Sequence, residues 1–312
     1  MKSYFLCLLI ACFLVVGCKR EPLITHTISG KDSASLVIAL QPTLACLPVY
    51  YGEKTGIFDS LGLHFTLKQY ASAMDCDTAA AKGVVSVAYS DLFHAVYNAY
   101  RGIPLQVVMA VEDEWQLVSN KGLRLKKIGQ MKERMVGIDR HSTADFLSDT
   151  LCGLAKIEKE DLLRIQINNL SLRKKMMNEG QIDAAFLPQP YAKMAVLAEE
   201  NKVLFTSHTL KLKTGVFVAY KADKNQIGNF LKGYELAAKR IMKRDDVVRD
   251  ILVKHYHVIP ELVDSVMLPR DSVFTVPTTK EIAIAVKWLK QRNLLTNSLR
   301  IDSICSSIRY KK

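Results

Sequence analysis

Two segments, GVVSVAYSD (83–91) and GQIDAAFLP (180–188), are built to one plan: a glycine, a short run of mostly apolar residues, and a polar or proline-containing stop. Laid Gly83 on Gly180, Val85 meets Ile182, Ala88 meets Ala185 and Tyr89 meets Phe186. A short apolar run bounded by turn residues predicts a strand buried on both faces, the interior of a parallel sheet with helices on either side. The glycine ahead of it marks a helix end, where the backbone turns left-handed. A chain that carries this unit twice folds as two α/β halves.

The flanking sequence extends the pattern. SLVIALQP, LHFTLKQY, VVSVAYSD and PLQVVMAV predict four strands, with helices in ACLPVYYGEKTG, AMDCDTAAAKG and LFHAVYNAYRG between or after them. In the second half ERMVGIDRHST, LLRIQIN and QIDAAFLPQP predict strands, and ADFLSDTLCGLAKI and LSLRKKMMNEG predict helices. TGVFVAYKA reads as a further strand. Amphipathic helices follow in NQIGNFLKGYELAAKRIMK, DDVVRDILVKHY and IPELVDSVM, then in TTKEIAIAVKWLKQRN, capped by Thr278 or Thr279 with Glu281 near the first turn. Strand and helix in alternation give an α/β fold with right-handed crossovers.

The chain opens differently. MKSYFLCLLIACFLVVGC places Lys2 ahead of an apolar run too short to span a bilayer, the layout of a secretory signal. Its end, Val15-Val16-Gly17-Cys18, resembles the bacterial lipobox, which implies cleavage after residue 17 and a diacylglycerol on the Cys18 thiol. Residues 18–34 are polar and read as a tether between lipid and folded body. The formal net charge is +12, but Lys and Arg are spread among acids at helical spacing, which describes a solvated surface. No zinc-finger spacing or stacking-aromatic motif points to nucleic acid. Once the signal has left and Cys18 is lipidated, Cys46, Cys76, Cys152 and Cys305 remain; their spacing matches no zinc site, their pairing stays open, and Cys152 reads as a buried thiol. His255 and His257 cannot share a helix face, so neither metal nor cofactor is expected. Arg140, His141 and Asp145 come with no Ser or Cys nucleophile motif, so no catalytic residues are assigned.

In open α/β sheets a ligand lies beyond the carboxyl ends of the strands, where helices start with unpaired N–H groups that favour polar or anionic groups. Pro188-Gln189-Pro190-Tyr191 stops one such strand and Ser90-Asp91 another, so two facing strand ends make a cleft.

CLPVYYGEKTGIFDSLGLHFTL, AAAKGVVSVAYSD, RMVGIDRHSTADFLSDTL and MNEGQIDAAFLPQPYAKMA resemble, in order, elements of the SsuA/THI5-like (NMT1-like) substrate-binding proteins of nitrate, sulfonate and taurine ABC importers; the similarity runs over about 36–270. It implies a type II periplasmic-binding-protein fold: lobe 1 from 35–113 plus 216–312, lobe 2 from 114–215, and a two-strand hinge near Val111–Trp115 and Leu212–Val216. By the same resemblance the ligand-binding residues are Gln41, Pro42, Ser72, Ser90 and Asp91 on lobe 1, and Ser142, Thr143, Gln189 and Tyr191 on lobe 2. Each has a plainer reading: Asp91, Ser142 and Thr143 as helix caps, Tyr191 as packing, and Trp115 as a stacking ring or a hinge residue. The implied function is a monomeric, lipid-anchored receptor at the cell envelope. It would capture a small polar or anionic organic solute of sulfonate, nitrate or pyrimidine type for an ABC permease and its ATPase. Pro188-Gln189 stands where the family often has Trp-Glu, and a neutral Gln in place of an acid argues against a cationic amine on the ligand, while Arg140 in a cleft turn suits a sulfonate-type anion. The alternatives are an enzyme of the thiamine-pyrimidine or menaquinone type on the same fold, and a sensor or surface lipoprotein without transport. Replacing Cys18 with Ser is expected to move the protein from the membrane pellet to the soluble fraction on ultracentrifugation.

Overall fold

The computed structural model describes residues 36–269 and 275–296. The expected signal (1–17), Cys18, the tether (18–34) and Cys305 lie outside them.

Two five-stranded sheets organise the protein. The first holds β1 (Leu36–Leu40), β2 (Phe65–Gln69), β3 (Val87–Asp91), β4 (Gln106–Val111) and β10 (Gly215–Ala219), in the order β2-β1-β3-β10-β4. The second holds β5 (Trp115–Ser119), β6 (Met135–Ile138), β7 (Leu163–Gln166), β8 (Ala184–Pro188) and β9 (Lys202–Thr206), in the order β7-β6-β8-β5-β9. The two orders are equivalent strand for strand. In each sheet four strands run in one direction and one crossing strand, β10 or β5, inserts antiparallel between the third of them and the edge strand. This is the two-lobed α/β arrangement that the repeated unit implies.

Burial follows position. Every residue of β3, β8 and β10 is buried, because each has neighbours on both sides and cover on both faces, while the edge strands β2 and β7 keep partly exposed residues. Gly83 and Gly180 take positive φ (69° and 73°) just after α3 (Ala73–Ala81) and α6 (Leu170–Asn178), turning the chain into β3 and β8. The first lobe also carries α1 (Leu47–Lys54), α2 (Ile57–Ser60), α4 (Leu92–Tyr100), α8 (Lys224–Ile241), α9 (Asp246–Lys254) and α10 (Thr279–Gln291). The second carries α5 (Thr143–Ala155) and α7 (Tyr191–Leu197). Thr278 caps α10 in a reciprocal pair with Glu281.

Three expectations are corrected. WQLVS and KVLFT, which carry no strand signal of their own, are strands β5 and β9. The sheets are mixed rather than all parallel, because the chain crosses between them at 112–114 and again at 207–214 and must re-enter in the opposite sense. PELVDS forms a 3-10 helix rather than an amphipathic α-helix, with Pro260 at its start.

The lobes meet away from the strand ends as well. Phe146 on α5 stacks on Phe93 of α4 (ring centroids 4.6 Å apart) and meets Trp288 of α10 edge-on (6.0 Å). Beside this aromatic contact Trp288 Nε1 donates to Asp149 Oδ2 (2.9 Å), and Arg292 Nη2 pairs with Asp145 Oδ1 (2.7 Å). Cys46, Cys76 and Cys152 are free and buried.

Gly215 opens β10 where there is no room for a side chain: a Cβ would lie 2.8 Å from the Tyr89 hydroxyl and 2.9 Å from Val111 Cγ2. Gly215→Ala is expected to destabilise the protein by about 1–3 kcal/mol, read from the midpoint of urea unfolding.

Candidate functional site

β3 and β8 end on the same side, and each crossing strand starts opposite one of those ends: Gly215 pairs with Asp91, and Trp115 with Pro188. The carboxyl edges of both sheets and the two crossings therefore converge. Between them lies a cavity of about 10 Å³, lined by Gln41, Ser72, Tyr89, Asp91, Trp115 and Asp139, with Ala73, Asn168 and Leu170 completing the wall. That is room for about one water molecule, so the lobes are closed on one another.

Of the residues expected from the sequence, Gln41, Ser72 and Asp91 come together on this wall. Gln41 Nε2 donates to the carbonyl of Tyr89 (3.1 Å), and Ser72 caps α3 by accepting from the Asp75 N–H. Asp91 caps α4, accepting from the His94 N–H at 2.9 Å. It also reaches across the lobes: Thr143, the first residue of α5, donates its N–H to Asp91 Oδ2 (3.3 Å). Ser142 caps α5 and donates to the carbonyl of Asp139 (2.7 Å), so its hydroxyl is spent within its own lobe. Pro42, Ser90, Gln189 and Tyr191 are buried beside the strand ends but do not line the cavity. The carbonyl of Gln189 accepts from the Leu44 N–H of the first lobe (3.2 Å). Burial pushes the Tyr191 phenol up to about 12. Ser90 Oγ, Thr143 Oγ1 and Gln189 Oε1 are buried without a hydrogen-bond partner, a costly state for a polar atom.

Four polar residues that shape the site carried no assignment from the sequence. His94, at the start of α4, donates from Nδ1 to Asp77 Oδ2 (2.7 Å) and from Nε2 to the carbonyl of Arg140 (3.2 Å) across the lobes. Both partners only accept, so the ring is an imidazolium. Burial works against that charge, but the carboxylates of Asp91, Asp77 and Asp139 outweigh it and hold the pKa well above the ordinary value. Asp91, His94 and Asp139 present atoms within 4.8 Å of one another, yet a doubly protonated ring has no lone pair for a metal ion. Asp139 is held by Arg173, a fully buried guanidinium that donates to Asp139 Oδ1 (2.9 Å) and to the carbonyls of Ile167 (2.8 Å) and Phe186 (2.9 Å). Asp113, on the first crossing segment, accepts from Tyr89 Oη (2.6 Å) and Trp115 Nε1 (3.2 Å). Only Asp139 had a usable signal, an acid directly after the apolar run of its strand, as Asp91 is after its own.

The chain matches the family described as NMT1/THI5 like over residues 44–246. It belongs to the NMT1/THI5-like family. The matched region takes in the whole second sheet and every strand of the first except β1. No curated protein matches the chain. Among solved structures it is similar to the alkanesulfonate-binding protein SsuA from Xanthomonas axonopodis pv. citri, bound to MOPS, at 14% identity and TM-score 0.76, covering 88% of this chain and 99% of that one. The periplasmic nitrate-binding protein NrtA from Synechocystis PCC 6803 aligns at 10% identity and TM-score 0.73, over 89% and 86% of the two chains. The ligand-binding component of an ABC-type import system from Staphylococcus aureus, with zinc bound, aligns at 14% identity and TM-score 0.72, over 89% and 97%. These likenesses show that this member of the NMT1/THI5-like family has the periplasmic-binding-protein fold.

Burial raises the Asp113 carboxyl to about 7, against the bonds from Tyr89 and Trp115 that lower it. An acid whose pKa is raised by folding holds its proton in the native state while the unfolded chain has lost it. Its contribution to stability is therefore present at low pH and disappears as pH rises from about 4 to about 7. Asp91, raised to about 6, acts in the same direction. Asp113→Asn is expected to reduce the stability lost between pH 4 and 7 by roughly 2–4 kcal/mol, measured as the difference in urea-unfolding free energy at the two pH values.

Proposed function

We propose that the protein is the solute receptor of an ABC importer, held to the outer face of a bacterial membrane through Cys18, and that it captures a small polar solute between its lobes. The observation that carries this reading is the cavity at the joint carboxyl edges of the two sheets, sealed by hydrogen bonds that run from lobe to lobe: Thr143 to Asp91, His94 to Arg140, and Leu44 to Gln189. Ligands of open α/β sheets bind at such edges. The two crossings at 112–114 and 207–214 provide the pair of strands about which the lobes can part, since a cavity this small admits a solute only after they separate. SsuA and NrtA, which share the fold, are named for binding alkanesulfonate and nitrate, which supports a small solute of the same size range.

Closure on a solute shifts an existing equilibrium by the solute's preference for the closed form. In small-angle X-ray scattering the protein is expected to contract when its solute is added, and its melting temperature is expected to rise in the same samples. A panel of alkanesulfonates, nitrate, pyrimidines and small amines that leaves both quantities unchanged would remove the receptor reading.

A further inference from the structure

We propose that the solute is a small organic cation bearing a protonated amine or amidinium, that Asp139 receives it, and that Asp91 is the residue that turns anions away. The proposal rests on the receptor reading above.

In this fold the helices that begin at the strand ends offer their N–H groups to an anion. Here one carboxylate of the protein itself occupies that place on both lobes. Asp91 takes the His94 N–H of α4 and the Thr143 N–H of α5. An incoming anion finds these two donors spent and meets a like charge instead.

The remaining charges point the same way. Among the described residues, no Lys or Arg lines the cavity. Two buried cations beside it are committed: His94 to Asp77 and the carbonyl of Arg140, and Arg173 to Asp139, Ile167 and Phe186. They stand against three carboxylates, those of Asp77, Asp91 and Asp139, which leaves the site net negative. Asp139 uses Oδ1 for Arg173, while its Oδ2 takes no hydrogen bond from any described residue, and its side chain lines the cavity. Trp115, an aromatic residue of the kind that attracts organic cations, borders the same cavity. A protonated amine brings N–H donors and positive charge together, whereas a sulfonate or nitrate brings neither.

The test is isothermal titration calorimetry on the detergent-solubilised full-length protein with putrescine, agmatine and ethanolamine as cations and ethanesulfonate and nitrate as anions, alongside solution scattering. At least one cation is expected to bind and contract the protein, with no heat from either anion. Asp139→Asn is expected to weaken the cation about tenfold or more, the loss of a charge-assisted contact. Asp91→Ser, which removes the carboxylate and releases the Thr143 N–H while Ser still caps α4, is expected to gain measurable binding of ethanesulfonate or nitrate; melting curves establish that both variants are folded, and wild-type binding decides the class if either is not. Binding of an anion but no cation to the wild type overturns the cation assignment and leaves the receptor standing. No binding and no contraction with either class overturns both. Full cation affinity in folded Asp139→Asn removes Asp139 from the role.

Discussion

The site depends on one topological constraint: each crossing strand enters the far sheet antiparallel, directly beside the strand whose end forms the cleft. Because Gly215 pairs with Asp91 and Trp115 with Pro188, the joint between the lobes and the binding edge occupy the same place. Asp113 shows the consequence. It lies on the first crossing segment and is bonded at once to Tyr89 of the first sheet and Trp115 of the second, so its hydrogen bonds change if the lobes rotate. A two-lobed protein with its connections elsewhere would have to transmit closure over a distance; here the connection is part of the wall.

The charges of the wall are arranged for position more than for stability. Burying Arg173 against Asp139 gains little net free energy, since desolvating both ions offsets most of their attraction. What the pair fixes is geometry: a guanidinium that also holds the carbonyls of Ile167 and Phe186 ties the ends of three neighbouring strands, β6, β7 and β8, to one carboxylate at the cavity. His94 does the same for the opposing lobe through Asp77 and the carbonyl of Arg140.

Much of the scaffold was legible because it rests on local rules. Apolar runs marked β1, β3, β4, β8 and β10, glycines marked the ends of α3 and α6, and Asp91, Ser142 and Thr278 capped helices as their residue types suggest. WQLVS and KVLFT were not legible: five residues each, with polar interruptions, they become strands only because β8 and one another supply partners. The polar site was readable only in part. Asp91 and Ser142 advertise themselves at helix starts, whereas Arg173 sits in LSLRKKMM, indistinguishable from the solvated bases around it until the fold places it inside. His94 and Asp113 likewise acquire their roles from neighbours distant in sequence.

The aromatic contact of Phe146 with Phe93 and Trp288, with its ion pair between Asp145 and Arg292, joins the lobes outside the cleft. On the receptor reading proposed above, it biases closed against open without touching whatever is bound, and the apparent affinity for any solute scales with the fraction of molecules able to adopt the competent form. Substitutions there would multiply the dissociation constants of all solutes by one common factor and leave their ranking untouched. A protein that works in the way proposed has the strength of its hold on a cargo set by one group of residues and its choice of cargo by another.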